Sequence, residues 1–418
     1  MENGMPPSGP SEAYLTVSRR FTFCASHRVE RVGLPAERNR ELYGDESAGR
    51  FGHGHNYVAT FVFHGEVDPV TGMLANLTRV KTAISEIVDG RYDHRFLNLD
   101  TPPFDGLPAT PENIARQLLV EAAPLFDGSR AQPVACHLVQ SPSMAATAYT
   151  GGRVETHRHF VFSAARRTAS PHLDDEANRR LFGIAAAPEG HGHTYHCRVT
   201  LGGVLDPATG VLASERRVSA ALNAVHRMLD HHNLSTGVPE LEGLPTTTEV
   251  LARFVRKRLT PDLPVARVRL NESEDFFAES LADGCAAMGV VRSFAAAHRL
   301  HSARLDDEAN RRLYGRCNNR NGHGHEYLVE TTAAGNLDER SGTLLSLDEL
   351  LGAVEGAVGP WRWRHLDREV AEFEERPSTG ENIVRSLWSR IGAGLGGRLL
   401  RVRLQETENN RFTVRRGV

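Results

Sequence analysis

Three widely separated aromatic-rich segments, Phe21-Thr22-Phe23, Phe160-Val161-Phe162 and residues 290–294, each read as a strand. Aromatic and β-branched side chains suit a pleated, half-buried surface. After the second and third segments comes a charged run that reads as a loop, Asp174-Asp175-Glu176-Ala177-Asn178-Arg179-Arg180 and again Asp306-Asp307-Glu308-Ala309-Asn310-Arg311-Arg312. The first segment keeps a remnant of it, Glu37-Arg38-Asn39-Arg40. Seven identical residues at the same place in two segments point to duplication.

A second strand is expected at His53-Gly54-His55-Asn56-Tyr57, His191-Gly192-His193-Thr194-Tyr195 and His323-Gly324-His325-Glu326-Tyr327, then a turn at Asp68-Pro69, Asp206-Pro207 or Asp338-Glu339. A helical stretch follows, residues 79–88 in the first copy. A second helix is expected to start near Thr110-Pro111-Glu112-Asn113, where Thr and Glu resemble a cap and Pro suits the first turn. Its counterparts are Thr246-Thr247-Thr248-Glu249 and Ser378-Thr379-Gly380-Glu381-Asn382. Closing strands include Val268-Arg269-Leu270-Asn271-Glu272 and Val402-Arg403-Leu404-Gln405-Glu406. The order β-β-α-α-β-β defines an α+β unit. Ala- and Gly-rich stretches near 143–156 and 278–289 read as linkers. The expected division is a disordered lead-in over 1–14, then repeats over 15–150, 155–278 and 288–418.

Composition adds limits. A length of 418 residues suggests about three domains. A net charge of −3 gives no global reason to expect nucleic acid or an anionic membrane as partner. No apolar run approaches the roughly 20 residues of a membrane span. The lead-in lacks the regions of a signal peptide. Cys24, Cys136, Cys197, Cys285 and Cys317 are odd in number and unpatterned, which favours a reducing cytoplasmic setting over a disulfide framework.

The candidate chemistry lies in the His-Gly-His cassettes. Two histidines one residue apart point to the same face of a strand, so both can ligate one metal. One such pair is weak evidence; three at domain spacing are strong. His226, His232 and His301 read as surface residues.

The string Asn310-Arg311-Arg312-Leu313-Tyr314-Gly315-Arg316-Cys317-Asn318-Asn319, followed by Gly322-His323-Gly324-His325-Glu326-Tyr327, resembles the 6-pyruvoyltetrahydropterin synthase family, which includes bacterial 6-carboxytetrahydropterin synthases. The resemblance recurs once per repeat. It implies T-folds, each a four-stranded antiparallel sheet with two helices, and three of them closing a twelve-stranded barrel. Family trimers stack in pairs, so this chain is expected to be a pseudo-trimer that self-associates into a dimer. The implied substrate is 7,8-dihydroneopterin triphosphate. The implied chemistry uses Zn2+ on three histidines, a thiolate assisted by an Asp-His pair, and a glutamate that anchors the pterin. Three neutral imidazoles leave the fourth zinc position open, as catalytic zinc requires.

Carried over by position, the third repeat would supply His298, His323 and His325 to the metal, the thiol Cys317 and the anchor Glu406. Its Asp-His pair would retain His365, with Arg364 in place of Asp. The first repeat would supply His27, His53 and His55 to a metal and Asp93-His94 as the pair. Its thiol position falls on Glu46 or Ser47, and its anchor becomes Gln140. The second repeat has Arg166 in place of the first histidine and Ala185 in place of the thiol, but keeps Asp230-His231 and Glu272. A guanidinium cannot ligate a cation. Because these losses are complementary, a composite site is expected, with metal, Cys317 and Glu406 from the third repeat and Asp-His from the first or second. The leading function is a carbon-oxygen lyase of the pyruvoyl type. The alternatives are 6-carboxytetrahydropterin synthesis for deazapurines and a non-catalytic pterin-binding scaffold.

Overall fold

The computed structural model describes residues 13–417. Residues 1–12 of the expected lead-in lie outside the described residues, and Ala13 and Tyr14 already belong to the first strand. The strands are β1 (Ala13–His27), β2 (His53–Gly65), β3 (Arg95–Phe96), β4 (Ala131–Ser141), β5 (Met144–Tyr149), β6 (Val154–Arg166) and β7 (His191–Gly203). They continue as β8 (Val265–Asn271), β9 (Phe276–Leu281), β10 (Ala286–His298), β11 (His323–Gly335), β12 (Leu399–Thr407) and β13 (Asn410–Arg416). Apart from the two-residue β3, which lies parallel beside the end of β1, all are antiparallel neighbours in one sheet. Pairing of β13 with β1, in register at Val17 and Phe412, closes it into a barrel of 12 strands. Closure leaves none of the long strands an open edge.

Each repeat contributes four barrel strands, two before its longer helices and two after, with a short helix between the first two. Along β2 the buried residues Tyr57, Ala59, Phe61 and Phe63 face the helices that coat the barrel. The opening strands meet the cassette strands through one aromatic stack per repeat. Phe23 lies over Tyr57 at 5.0 Å, Phe162 over Tyr195 at 4.9 Å and Phe294 over Tyr327 at 5.0 Å.

The expected linkers are barrel strands. Residues 143–156 hold β5 and the start of β6, and residues 278–289 hold the end of β9 and the start of β10, so a boundary at 278 cuts through β9. Small residues mark close packing there rather than flexibility. Gly289 pairs with Phe277, and a Cβ on Gly289 would sit 2.2 Å from the Phe277 ring. The charged runs are also not loops. They form the helices Asp175–Phe182 and Asp307–Tyr314, whose caps Asp174 and Asp306 accept the N–H groups of Ala177 and Ala309 at 2.8 and 2.7 Å. Acidic first turns and basic last turns complement the helix dipole.

The longer helices start where expected. Thr110 caps Pro111–Ala122, Thr247 caps Thr248–Leu259 and Thr379 caps Gly380–Leu395. Their first turns are buried against the next repeat in cyclic order. The Glu381 carboxylate accepts the Leu74 N–H at 2.9 Å, Glu112 accepts the Thr156 hydroxyl at 2.6 Å, and Glu249 accepts the Thr343 hydroxyl at 2.6 Å. No helix among the described residues is long and apolar enough to cross a membrane.

Candidate metal and acid-base sites

In the first and third repeats the end of one strand and the start of the next bring three imidazoles together. His27 pairs with His53, and His298 with His323, so each opening strand ends beside its cassette. Ring centroids in the first triad are 4.7, 5.1 and 4.9 Å apart, and in the third 4.5, 5.2 and 5.0 Å. His27 Nδ1 donates to the Ala109 carbonyl at 2.8 Å, and His298 Nδ1 to the Ser378 carbonyl at 2.9 Å. A carbonyl only accepts, so each bond places the proton on Nδ1 and leaves the Nε2 lone pair facing the cluster. His27 Nε2 and His55 Nε2 are buried with no hydrogen-bond partner. Burial above all, with repulsion from the neighbouring imidazoles, holds His27 and His298 down at about 3 against the opposing carbonyl bonds. They are neutral at pH 7, the ligating form. In each triad one donor atom per residue falls within 4.8 Å of the others, so both triads could hold a metal ion.

In the second repeat Arg166 takes the place of His27 and His298, in register with His191. It is buried, and its guanidinium donates to Glu272 and to the Thr248 hydroxyl. His193 Nε2 lies 3.0 Å from the other Glu272 oxygen. His191, His193 and Glu272 satisfy the spacing of a metal site, but a fixed cation already sits among them. Burial would raise the Glu272 carboxyl, yet the bond from His193 and the charge of Arg166 outweigh it and hold the group at about 2.

The backbone fixes which residues stand in for the thiol. Leu300 N–H donates to the Cys317 carbonyl at 2.9 Å, Val29 N–H to that of Glu46 at 3.3 Å, and Thr168 N–H to that of Ala185 at 2.9 Å. Each donor lies two residues beyond the strand-ending His27, Arg166 or His298, so the counterpart of Cys317 is Glu46 and not Ser47. In the third repeat Glu406 lies 4.0 Å from His298 Nε2, and Cys317 is half-buried. Burial, then the charge of Glu406, pushes the Cys317 thiol up. In the first repeat Gln140 Nε2 donates to Glu46 Oε1 at 2.6 Å.

Asp93 and Asp230 are held alike. Asp93 Oδ1 accepts the Cys24 N–H at 2.8 Å and its Oδ2 the His94 Nδ1–H at 2.8 Å. Asp230 accepts from Ser163 N–H at 2.9 Å and from His231 Nδ1 at 2.7 Å. His94 and His231 adopt positive φ, 55° and 60°, and their side chains are 81% and 82% exposed. Neither pair bonds to the third triad; each is tied to its own opening strand.

The third repeat corrects the expected assignment. The residue there with positive φ, 64°, whose N–H reaches the matching strand carbonyl of Ala295 at 2.8 Å, is Trp363. The counterpart of the Asp-His pair is therefore Arg362-Trp363, and both halves are lost. His365 lies two residues further on, bridging Ala297 as Asn233 bridges Ala165 and as Phe96 pairs with Ser26. Its side chain is 14% exposed, neither ring nitrogen has a hydrogen-bond partner, and Nδ1 is 3.8 Å from Asp367. It is an inward imidazole near the third triad, not half of a rim pair.

Glu406 and Glu272, expected as pterin anchors, lie beside the histidines of their repeats, 4.0 Å from His298 Nε2 and 3.0 Å from His193 Nε2. The carboxylates buried at the joints between repeats are Glu112, Glu249 and Glu381, at the starts of the capped helices. Burial raises all three, Glu381 to about 7. The signal for them was in the sequence, since an acid recurs in each capping segment, but a cap accounted for it.

Comparison with known proteins identifies the family of the three repeats. The profile described as 6-pyruvoyl tetrahydropterin synthase matches residues 16–150, 155–282 and 288–417. A 6-pyruvoyl tetrahydrobiopterin synthase of Poecilia reticulata is 40% identical over 129 residues, 30% of this chain and 87% of that protein. The Homo sapiens protein of the same name is 41% identical over 120 residues, 28% of this chain and 83% of that protein. The structure of Caenorhabditis elegans 6-pyruvoyl tetrahydropterin synthase matches at 34% identity with a TM-score of 0.31, covering 31% of this chain and 95% of that one. The chain belongs to the 6-pyruvoyl tetrahydropterin synthase family, as three tandem units closed into a single barrel.

Proposed function

We propose that the chain is a zinc-dependent lyase of the 6-pyruvoyltetrahydropterin synthase type, acting on 7,8-dihydroneopterin triphosphate in its third repeat and eliminating triphosphate. One observation carries the reading: only there, among the described residues, does a complete histidine triad meet both a thiol and a carboxylate, Cys317 and Glu406. The residues fit zinc, with His298 fixed by its bond to Ser378 so that Nε2 faces the triad. When bound, zinc supplies polarisation of the substrate's side-chain oxygens and so acidifies the adjacent C–H bonds.

Cys317 takes a proton from the side chain and returns it at the neighbouring carbon. Glu406, lying among the imidazoles, faces the reacting side chain rather than the ring. Glu381, buried at the joint with the first repeat, takes the role of pterin anchor, since a carboxylate can accept hydrogen bonds from the pterin's amidine-like edge. The Asp93-His94 and Asp230-His231 pairs serve the third site of a second copy of the chain. Their exposure at the rim and their anchoring to their own strands support a relay across a dimer rather than within one chain.

The test is incubation of zinc-loaded protein with 7,8-dihydroneopterin triphosphate, with products read by mass spectrometry. A three-carbon diketone side chain with released triphosphate supports the reading. A shortened, carboxylated side chain moves it to the carboxy branch, and absence of turnover with zinc present removes the activity.

A further inference from the structure

We infer that Arg19, on the opening strand of the first repeat, is a substrate-binding residue of the third site, donating to the pterin's ring carbonyl beside the edge that Glu381 holds. The inference rests on the pterin reading above and adds to it a residue from across the joint that closes the barrel.

Position follows from the strand register. Arg19 lies on the face of β1 that carries Val17 and Phe21, turned toward the helices. It sits between Phe61 on β2 and Asn410 on β13. Arg158 holds the same place in the second repeat, between Val199 and Met144, and Val290 holds it in the third, between Thr331 and Phe276. At the joint of the first and second repeats, Arg158 and Met144 line one cavity with Glu46 and Glu112. Their counterparts at the joint of the third and first repeats are Arg19, Asn410, Cys317 and Glu381.

Contacts within that joint agree. Arg19 donates to Asn410 Oδ1, and Asn410 Nδ2 donates to Glu406 Oε2 at 3.5 Å. Glu406 is 4.0 Å from His298 Nε2, so a polar path runs from Arg19 to the third triad. On the other side, Gly380 starts the capped helix against Phe412, where a Cβ would sit 2.1 Å from the ring. Phe412 pairs with Val17, and Asn410 with Arg19 is the next pair on that face. Glu381 directly follows Gly380.

The three joints treat this position differently. Arg158 is tied to the Glu215 carboxylate, with one bond at 2.8 Å, and Val290 is apolar and buried. Arg19 instead donates to the neutral Asn410, and its Nε is buried with no hydrogen-bond partner. A buried donor left unmet costs stability, and a ligand's acceptor would relieve that cost. The guanidinium without a carboxylate thus stands at the joint whose triad is joined by Cys317 and Glu406. The ring supplies the acceptor. Beyond the N–H groups that Glu381 would accept, the next polar atom around the pterin is a carbonyl oxygen. A carboxylate beside a guanidinium matches that order of donor and acceptor. A ring with an amino group in place of the carbonyl would set N–H against N–H.

Zinc-loaded wild type and R19Q are titrated by calorimetry with 7,8-dihydroneopterin, which lacks the triphosphate, and with its analogue bearing an amino group for the ring carbonyl. Wild type is expected to prefer the carbonyl-bearing ring. R19Q is expected to bind that ring at least ~10-fold more weakly and to lose the preference, at unchanged zinc content and melting temperature. With 7,8-dihydroneopterin triphosphate its KM should rise by a similar factor while kcat stays within about threefold. Should R19Q fail to fold, N410D, which gives Arg19 a carboxylate partner as Glu215 gives Arg158, is expected to lose the same preference. Equal affinity in wild type and R19Q, or an equal loss for both rings, overturns the inference. So does a loss confined to the triphosphate-bearing substrate, which would place Arg19 on the phosphates. A wild type that binds neither ring removes the pterin reading and the inference with it.

Discussion

The Arg166 guanidinium binds the Glu272 carboxylate in the second repeat at the place where the third repeat sets His298 4.0 Å from Glu406. A built-in cation occupies the position where the two neighbouring repeats present the first histidine of a candidate metal triad. R166H is expected to raise bound zinc from two to three per chain, measured by elemental mass spectrometry. R166A instead leaves Glu272 buried without its main charge partner and should cost about 3–5 kcal/mol in chemical denaturation.

Metal in the other two repeats should be independent, because each triad is built within one repeat. H27A and H298A are each expected to remove one zinc and leave the other. Only H298A should abolish the Cys317-dependent reaction, seen as loss of triphosphate release.

The relay across copies makes its own prediction. D93N and D230N, tested singly and together, should slow turnover with zinc content intact, the double variant by about 100-fold or more. Co-refolded D93N/D230N and C317A proteins should then recover activity that neither has alone. Full activity in both single variants excludes any composite site.

Trp363 adopts φ 64° with its side chain 80% exposed, a conformation that bulky residues avoid and that Asn tolerates. W363N is expected to stabilise the chain by about 1 kcal/mol, read as an increase in the urea midpoint at unchanged slope.

Inside the barrel, Glu279 is buried beside Arg401 and Arg269. Burial would raise its carboxyl, but the charges of Arg401, Arg267 and Arg269 prevail and hold it at about 2, below the ordinary 4.5. A folded-state value below the unfolded one contributes stability above the unfolded pKa, lost as pH falls toward the folded pKa. E279Q should therefore remove roughly 3 kcal/mol at neutral pH and flatten the acid dependence between about 4.5 and 2, followed by denaturant titration at several pH values.

How much of this was legible in the chain follows from the range of the interactions involved. The His-Gly-His cassettes were readable because strand alternation alone turns both imidazoles to one face, and His27 and His298 stood out within the recurring pattern. The capped starts at Thr110, Thr247 and Thr379 were readable because a cap reaches only three residues along the chain. Identity failed where the defining contact is distant. His365 resembles a relay histidine by type, but only the N–H of Trp363 reaching Ala295 shows which residue holds that position. The choice of Glu46 over Ser47 depends likewise on Val29, and the inter-repeat role of Glu381 depends on Leu74, more than three hundred residues away. The small residues at the repeat junctions read as linkers because glycine beneath an aromatic ring and glycine in a loop look the same in one dimension. The chain alone reveals the triplication, the candidate metal-ligating histidines and the helix starts, all local patterns. Which residues share a site depends on contacts far apart in the chain, because closing the barrel joins strands from opposite ends of the chain and places each repeat's buried carboxylate against its neighbour.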